Sequence, residues 1–265
     1  MLTHRQTVIL ERARLNGRVS VDALAEALSV SVQTIRKDIN ELCDLNFLSR
    51  VHGGAVIASG VENVGYDARR FIASAEKAAI GRAVAALVPN QSSLFVNIGT
   101  TTEAAARALL GHTGLMVITN NLNVAHLMRP AAGIEVIVAG GVVRRSDGGI
   151  VGEAAVDFIH QFKVDHAVIG VSAIDPDGSL LDFDYREVRV AQAIIANARH
   201  VILASDASKF ERDAPVRFGH FSQIDTFVTD RCPPAIRRIC EEASVRVVEV
   251  GAEVEEPAEA DAASD

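Results

Sequence analysis

Apolar residues recur along this chain with two different periods, and the change falls near residue 60. In residues 3–15, Val8, Ile9, Ala13 and Leu15 sit at near-helical spacing before Asn16 and Gly17 supply a stop. A second helix is expected after Ser20, whose hydroxyl is placed to cap it, with Val21, Leu24, Ala25 and Leu28 facing inward. Beyond the turn at Ser29 and Val30, Ser31 opens a third helix. Val32, Ile35, Ile39 and Leu42 form its apolar stripe, leaving Gln33, Thr34, Arg36, Lys37 and Asn40 outside. Two short helices joined by a tight turn make a helix-turn-helix. Asn46 is suited to a left-handed cap, and 47–52 and 55–57 read as a two-stranded wing turned at Gly53 and Gly54. Residues 59–73 show no clean period and read as a linker.

From residue 74 the pattern alternates between short apolar runs and helical segments. Strands are expected at 93–98, 115–119, 134–139, 166–171, 201–204, 226–229 and 245–250, and helices at 75–88, 102–110, 122–128, 154–162, 184–198 and 234–243. Continuous apolar strands separated by helices indicate a mainly parallel sheet covered on both faces, an α/β domain over 74–250. The organisation is therefore a winged helix-turn-helix over 1–58, a linker over 59–73, the α/β domain, and an acidic tail over 251–265 expected to be disordered.

Charge does not by itself suggest a nucleic-acid protein, because the formal net charge is -8 and duplex DNA attracts basic residues. Much of that acidity lies at the end: Glu249, Glu253, Glu255, Glu256, Glu259, Asp261 and Asp265 occur there without a basic residue. With no Trp and two Tyr, the chain lacks the aromatic platforms on which single strands stack, so a nucleic-acid partner is expected to be duplex. The three cysteines have neither metal nor redox spacing, and no window offers ~20 apolar residues for a membrane span. A soluble cytoplasmic chain without metal or cofactor is the expectation.

The outward face of the third helix carries residue types that read base edges: Gln33 for adenine, Arg36 and Lys37 for guanine, Thr34 for the thymine methyl. Arg50 and His52 on the wing are candidates for phosphate or minor-groove contact. A solvated helix face would show the same residues. In the second domain, Asn97-Ile98-Gly99-Thr100-Thr101-Thr102-Glu103 passes from strand to helix. Backbone N–H groups and the positive helix end converge at such a junction and suit a phosphate, although an ordinary helix start needs only one of these threonines. Other polar groups follow expected strand ends, where α/β ligands bind. They are Asn120, Gly141 with Arg144, Glu153, Asp184 with Glu187, and Lys209, the last suited to neutralising phosphate. Asp182 and Asp206 lie beside them in sequence.

The string VSVDALAEALSVSVQTIRKDINEL followed by LSRVHGGA resembles the DNA-binding domain of DeoR-type regulators, with Asn46 where a glycine is common. The segments EKAAIG, IGTTTEA, TNNLNVA, GGVVRRSDGGIVGE, DGSLLDFDYREV and DASKF are similar to that family's C-terminal sensor domain, which is related in fold to ribose-5-phosphate isomerase. The resemblance implies a homo-oligomeric repressor that binds double-stranded operator DNA and is released by a small phosphorylated metabolite. Glycerol 3-phosphate is the metabolite it implies, with glycerol metabolism as the regulated process. Two alternatives stay open: a regulator of the same architecture tuned to another sugar phosphate, and a sugar-phosphate isomerase using Asp182, Asp184 or Glu187 as base.

Overall fold

The computed structural model describes residues 2–16, 18–45, 47–51, 53–57 and 66–251. Gly17, Asn46, His52, the first half of the expected linker and the acidic tail lie outside the described residues.

Helices α1 (His4–Asn16), α2 (Val21–Ala27) and α3 (Val32–Asp44) combine with β1 (Arg18–Ser20), β2 (Leu48–Val51) and β3 (Gly54–Ile57) into the N-terminal domain. Ile9, Leu24, Ile35, Ile39, Leu42 and Phe47 form its core. Ser31 caps α3 as expected, its Oγ accepting from the Thr34 backbone N–H at 3.1 Å. Ser20 precedes α2, but its side chain makes no capping bond. It closes β1, a strand too short to show a period, and the first N–H of α2, from Val21, donates instead to the wing carbonyl of Gly53 at 3.0 Å. Strand β3 runs antiparallel between β1 and β2. A Cβ at Gly54 would stand 1.9 Å from the Val19 carbonyl oxygen, so this crossing requires glycine.

The stretch read as a linker contains a helix, α4 (Tyr66–Phe71), whose polar side chains find their partners in distant elements. The α/β domain continues through α5 (Ser74–Leu87), β4 (Ser93–Val96), α6 (Thr100–Ala108), β5 (Leu115–Thr119), α7 (Leu122–Met128) and β6 (Ile134–Val138). A hairpin of β7 (Val142–Val143) and β8 (Ile150–Val151) leads into α8 (Glu153–Ile159) and β9 (Val164–Ile169). Then come β10 (Ala173–Ile174), β11 (Ser179–Asp182), α9 (Tyr185–Ala196), β12 (Ala198–Ala204), β13 (Val216–His220), β14 (Thr226–Thr229), α10 (Pro234–Glu242) and β15 (Arg246–Glu249).

Among the described residues, the seven expected strands are the seven of one parallel sheet in the order β15-β14-β12-β9-β4-β5-β6. Alternate residues of each strand serve opposite faces. Leu94 and Val96 pack with Ile80, Val84 and Ala105 of α5 and α6. Phe95 belongs to the cluster that holds Ile159, Ile194 and Ile236 of α8, α9 and α10. The short strands β10, β11 and β13 form a separate antiparallel sheet that the apolar pattern did not reveal.

The chain enters the large sheet at its middle with β4, adds β5 and β6 on one side, then returns to lay β9 on the other. Connections therefore leave β4 and β9 in opposite directions and open a crevice at their carboxyl ends. Helices α5 and α6 cross tightly over this region, and a Cβ at Gly81 would lie 2.6 Å from the Ala104 carbonyl oxygen. Gly81→Ala should therefore reverse the usual benefit of alanine in a helix and destabilise the protein by about 1–3 kcal/mol. Urea unfolding monitored by circular dichroism would show a lower midpoint; an unchanged or higher one would contradict the crossing.

Candidate functional site

The crevice beyond β4 and β9 is lined by Gly99, Thr100 and Thr101, by Gly170 and Ser172, and by Asp182, Glu187, Lys209 and Arg69. Helix α6 begins two residues earlier than its apolar pattern indicates, so Thr100 and Thr101 occupy its first turn. Gly99 precedes it at φ 147, a conformation that favours glycine. The hydroxyls of Thr100 and Thr101 hydrogen-bond to nothing among the described residues. Lys209 is buried, and burial pushes its ammonium down to about 7 against the upward pull of Asp206. The arrangement offers helix N–H groups, two unpaired hydroxyls and a cation to one anion.

Behind this wall, Arg144 ties the carboxylates together. Its Nε and Nη2 donate to the two oxygens of Asp147 at 2.8 and 2.6 Å, Nη2 also to Glu187 at 2.5 Å, and Nη1 to Asp184 at 3.2 Å. Burial and the nearby Asp182 push the Glu187 carboxyl up to about 8 against the pull of Arg144. Asp182 accepts from the Phe183 backbone N–H at 2.6 Å and from Ser172 Oγ at 3.2 Å.

Besides Arg144 and Asp184, which stand behind the wall, four residues expected in the site do not line the crevice. The Thr102 side chain turns inward, its hydroxyl placed to donate to the carbonyls of Asn97 (2.7 Å) and Gly99 (2.8 Å). Asn120 braces the β8 strand: its Nδ2 donates to the Ile150 carbonyl at 3.1 Å, and its own carbonyl accepts from Ile150 N–H at 2.7 Å. Gly141 turns the chain into the β7–β8 hairpin at φ 144, where a Cβ would meet Ile150 Cγ2 at 3.0 Å. Glu153 points to solvent and pairs with Arg189. Sequence spacing placed all four near strand ends, but it does not show which way a side chain turns. The residues that pattern missed are Arg69, Lys77, Tyr66 and Asp147. Their partners are as much as 78 residues away along the chain, and only their charge or phenol marked them.

On the N-terminal domain, Gln33, Arg36 and Lys37 are exposed on α3, as expected. Arg36 and Arg50 line one cleft with Gly53 and Gly54, so the wing and the helix face converge. The Thr34 hydroxyl is shared with Ser31 Oγ at 2.8 Å, which leaves its methyl as the free group. Asp38 is buried and receives Arg5 Nε at 2.5 Å, clamping α1 to α3. Among the described residues, no cluster of His, Cys, Asp and Glu is arranged to hold a metal ion. No helix of the described residues is long and apolar enough to cross a membrane.

Two family models cover these domains: a DeoR-like helix-turn-helix domain over residues 5–61 and a DeoR C-terminal sensor domain over 72–231. The chain belongs to the DeoR family. Among its relatives, the glycerol-3-phosphate regulon repressor of Escherichia coli (strain K12) is 49% identical over 232 residues, covering 88% of this chain and 92% of that one. The Haemophilus influenzae protein of the same name is 46% identical over 244 residues, covering 92% and 95%. Among solved structures, the ribose 5-phosphate isomerase of Methanocaldococcus jannaschii aligns over 52% of this chain and 55% of that one, at 14% identity and a TM-score of 0.39.

The Arg144–Asp147 and Arg189–Glu153 ion pairs of the sensor domain differ in burial, and so should their contributions. Asp147 is 5% exposed, whereas the Glu153 and Arg189 side chains are 67% and 55% exposed. Asp147→Asn should cost about 3 kcal/mol by leaving buried charge uncompensated. Glu153→Gln should change stability by no more than about 0.5 kcal/mol. Equal shifts of the urea midpoint in the two variants would show that the Arg144 cluster does not stabilise the domain.

Proposed function

We propose that this chain is a homo-oligomeric transcriptional repressor whose α3 and wing hold operator DNA until a phosphorylated metabolite enters the crevice beyond β4 and β9. The observation that carries the effector reading is the set of unpaired donors at one spot: the first turn of α6, the Thr100 and Thr101 hydroxyls, and the buried Lys209 ammonium. Glycerol 3-phosphate is the ligand favoured by the names of the relatives. Arg144, Asp184 and Glu187 then fix the wall of the pocket, with the carboxylates positioned for ligand hydroxyls. Glu187 and Asp184 are engaged by Arg144, and Asp182 by Ser172 and a backbone N–H, so none of the three carboxylates considered as an isomerase base stands free. This supports a sensor rather than an enzyme.

At the operator, Gln33, Thr34, Arg36 and Lys37 are assigned to base edges and neighbouring phosphates, and Arg50 and His52 to the backbone or minor groove. A two-fold assembly, in the cytoplasm, would present two such helices to paired half-sites.

Two variants separate the halves of this reading. Arg36→Ala should weaken operator binding by about 1–3 kcal/mol, read by fluorescence anisotropy. Thr101→Asp places a carboxylate at the positive helix end; this variant should hold operator yet fail to release it when glycerol 3-phosphate is added. Glycerol should be inert toward the unmodified chain. Release of Thr101→Asp at unmodified concentrations, or equal potency of glycerol, would remove phosphate recognition from this crevice.

The pH dependence follows from Lys209, whose ammonium is pushed down to about 7 by burial. A bound phosphate raises that value, so above pH 7 binding takes up a proton, and affinity falls by as much as about tenfold per pH unit. Below about pH 6 the ligand loses its second negative charge and affinity falls again. Calorimetry at pH 8 in buffers of different ionisation heat should register proton uptake; its absence would exclude Lys209 as the phosphate's partner.

A further inference from the structure

Arg69 comes from the segment that links the two domains, yet its side chain enters the crevice beside Gly99, Thr101 and Lys209. It is only 14% exposed, and its Nε is buried without a hydrogen-bond partner. Its ion pair is a long one, Nη2 to Asp147 Oδ2 at 3.4 Å, and Arg144 already engages both oxygens of that carboxylate. A planar guanidinium with unspent donors at the mouth of an anion pocket is the group best shaped to take a phosphate in two contacts. Burial lowers Lys209, and after Asp206 pulls it back up, Arg212, Lys77 and Arg69 all push it down again. Of these cations, Arg69 and Lys209 both line the crevice, and an anion bound between those two would relieve their repulsion.

The helix that bears Arg69 is fixed at both ends. At its start, Tyr66 Oη donates to Glu103 Oε2 at 2.7 Å and accepts from Asn123 Nδ2 at 3.0 Å, and Glu103 stands on α6, whose first turn lines the crevice. At its end, Lys77 Nζ donates to the carbonyls of Arg69 at 2.5 Å and Ile72 at 2.7 Å. Ile72 packs against the hydrophobic core of the DNA-binding domain, and the next residue, Ala73, adopts a left-handed conformation (φ 50) that an alanine rarely takes. One helical turn thus separates a crevice cation from a contact with the DNA-reading domain.

We propose that Arg69 is a direct ligand of the effector's anionic group and that α4 carries occupancy of the crevice through Ile72 to the DNA-binding domain. This rests on reading the crevice as a phosphate site. An effector can shift the operator-bound state only through contacts that differ between two arrangements, and α4 is the element placed to differ.

The test uses the full chain with inorganic phosphate and glycerol 3-phosphate as probes, circular dichroism verifying the fold. Arg69→Gln should weaken both anions by at least about tenfold, and Arg69→Lys by less, since the charge is kept and the fork lost. Tyr66→Phe, which touches no ligand, should bind glycerol 3-phosphate within about threefold of the unmodified chain but need at least about tenfold more of it to release operator. A merely structural Tyr66 would not split binding from release in this way. If the unmodified chain binds the anions and Arg69→Gln binds them equally, the inference fails while the crevice reading stands. It fails likewise if Tyr66→Phe releases operator at unmodified concentrations. If the unmodified chain binds neither anion, both fail.

Discussion

The reversal of chain direction between β4 and β9 is the constraint on which the rest of the molecule depends. Parallel strands need crossovers, and two crossovers that leave adjacent strands in opposite directions cannot both cover the gap above them. Here the gap is walled by the glycine-led start of α6 on one side and the Gly170–Ser172 turn on the other. The buried charged side chains described above for the α/β domain gather around that opening. The β7–β8 hairpin delivers Arg144, the start of α9 delivers Asp184 and Glu187, and the turn after β12 delivers Lys209.

Such an opening fills with charge, and the charges need partners. Arg144 satisfies Asp147, Glu187 and Asp184 at once, and the Asp147 carboxylate in turn accepts from the Gly149 backbone N–H at 3.2 Å. One guanidinium therefore closes the β7–β8 turn on itself and ties it to the start of α9. Against this saturated cluster stands a less satisfied set: Lys209, Arg69 Nε, the Asp206 Oδ2 atom and the two threonine hydroxyls. Buried donors and acceptors are normally paired in native structures, and those left over point to sites where something binds. In the proposed reading, the saturated cluster supplies rigidity and the unsaturated one supplies affinity.

The N-terminal domain solves a smaller problem by similar means. Its core is small, so polar cross-ties matter: Arg5 to Asp38 and Gln6 Nε2 to Glu41 Oε2 (2.6 Å) join α1 to α3. The wing is also part of the scaffold, because β1 pairs with β3 and the Gly53 carbonyl receives the first N–H of α2. The exposed face of α3 is thereby held against a strand pair rather than left on an isolated helix. Gln33 and Arg36 stay exposed on that face because the structural demands are met on the opposite one.

The sequence alone determined what depends on near neighbours. Apolar runs and helical periods located the seven strands of the large sheet and the helices that cover it, because each strand and helix buries a face whose spacing is local. The Ser31 cap, the Gly99 junction and the exposed face of α3 were legible for the same reason, and the DeoR resemblance rested on these segments in order. Tertiary structure alone decided strand order, and with it which loops meet. It turned Thr102 inward and Glu153 outward, gave Asn120 and Gly141 to the support of β8, and drew Arg69 from the expected linker into the crevice. Arg5 meets Asp38 across 33 residues, Arg144 meets Glu187 across 43, and Arg69 meets Asp147 across 78. A charged side chain carries no period that identifies its partner. Its role is fixed only when the packing of apolar faces brings distant segments together and removes the water that would otherwise have paired it.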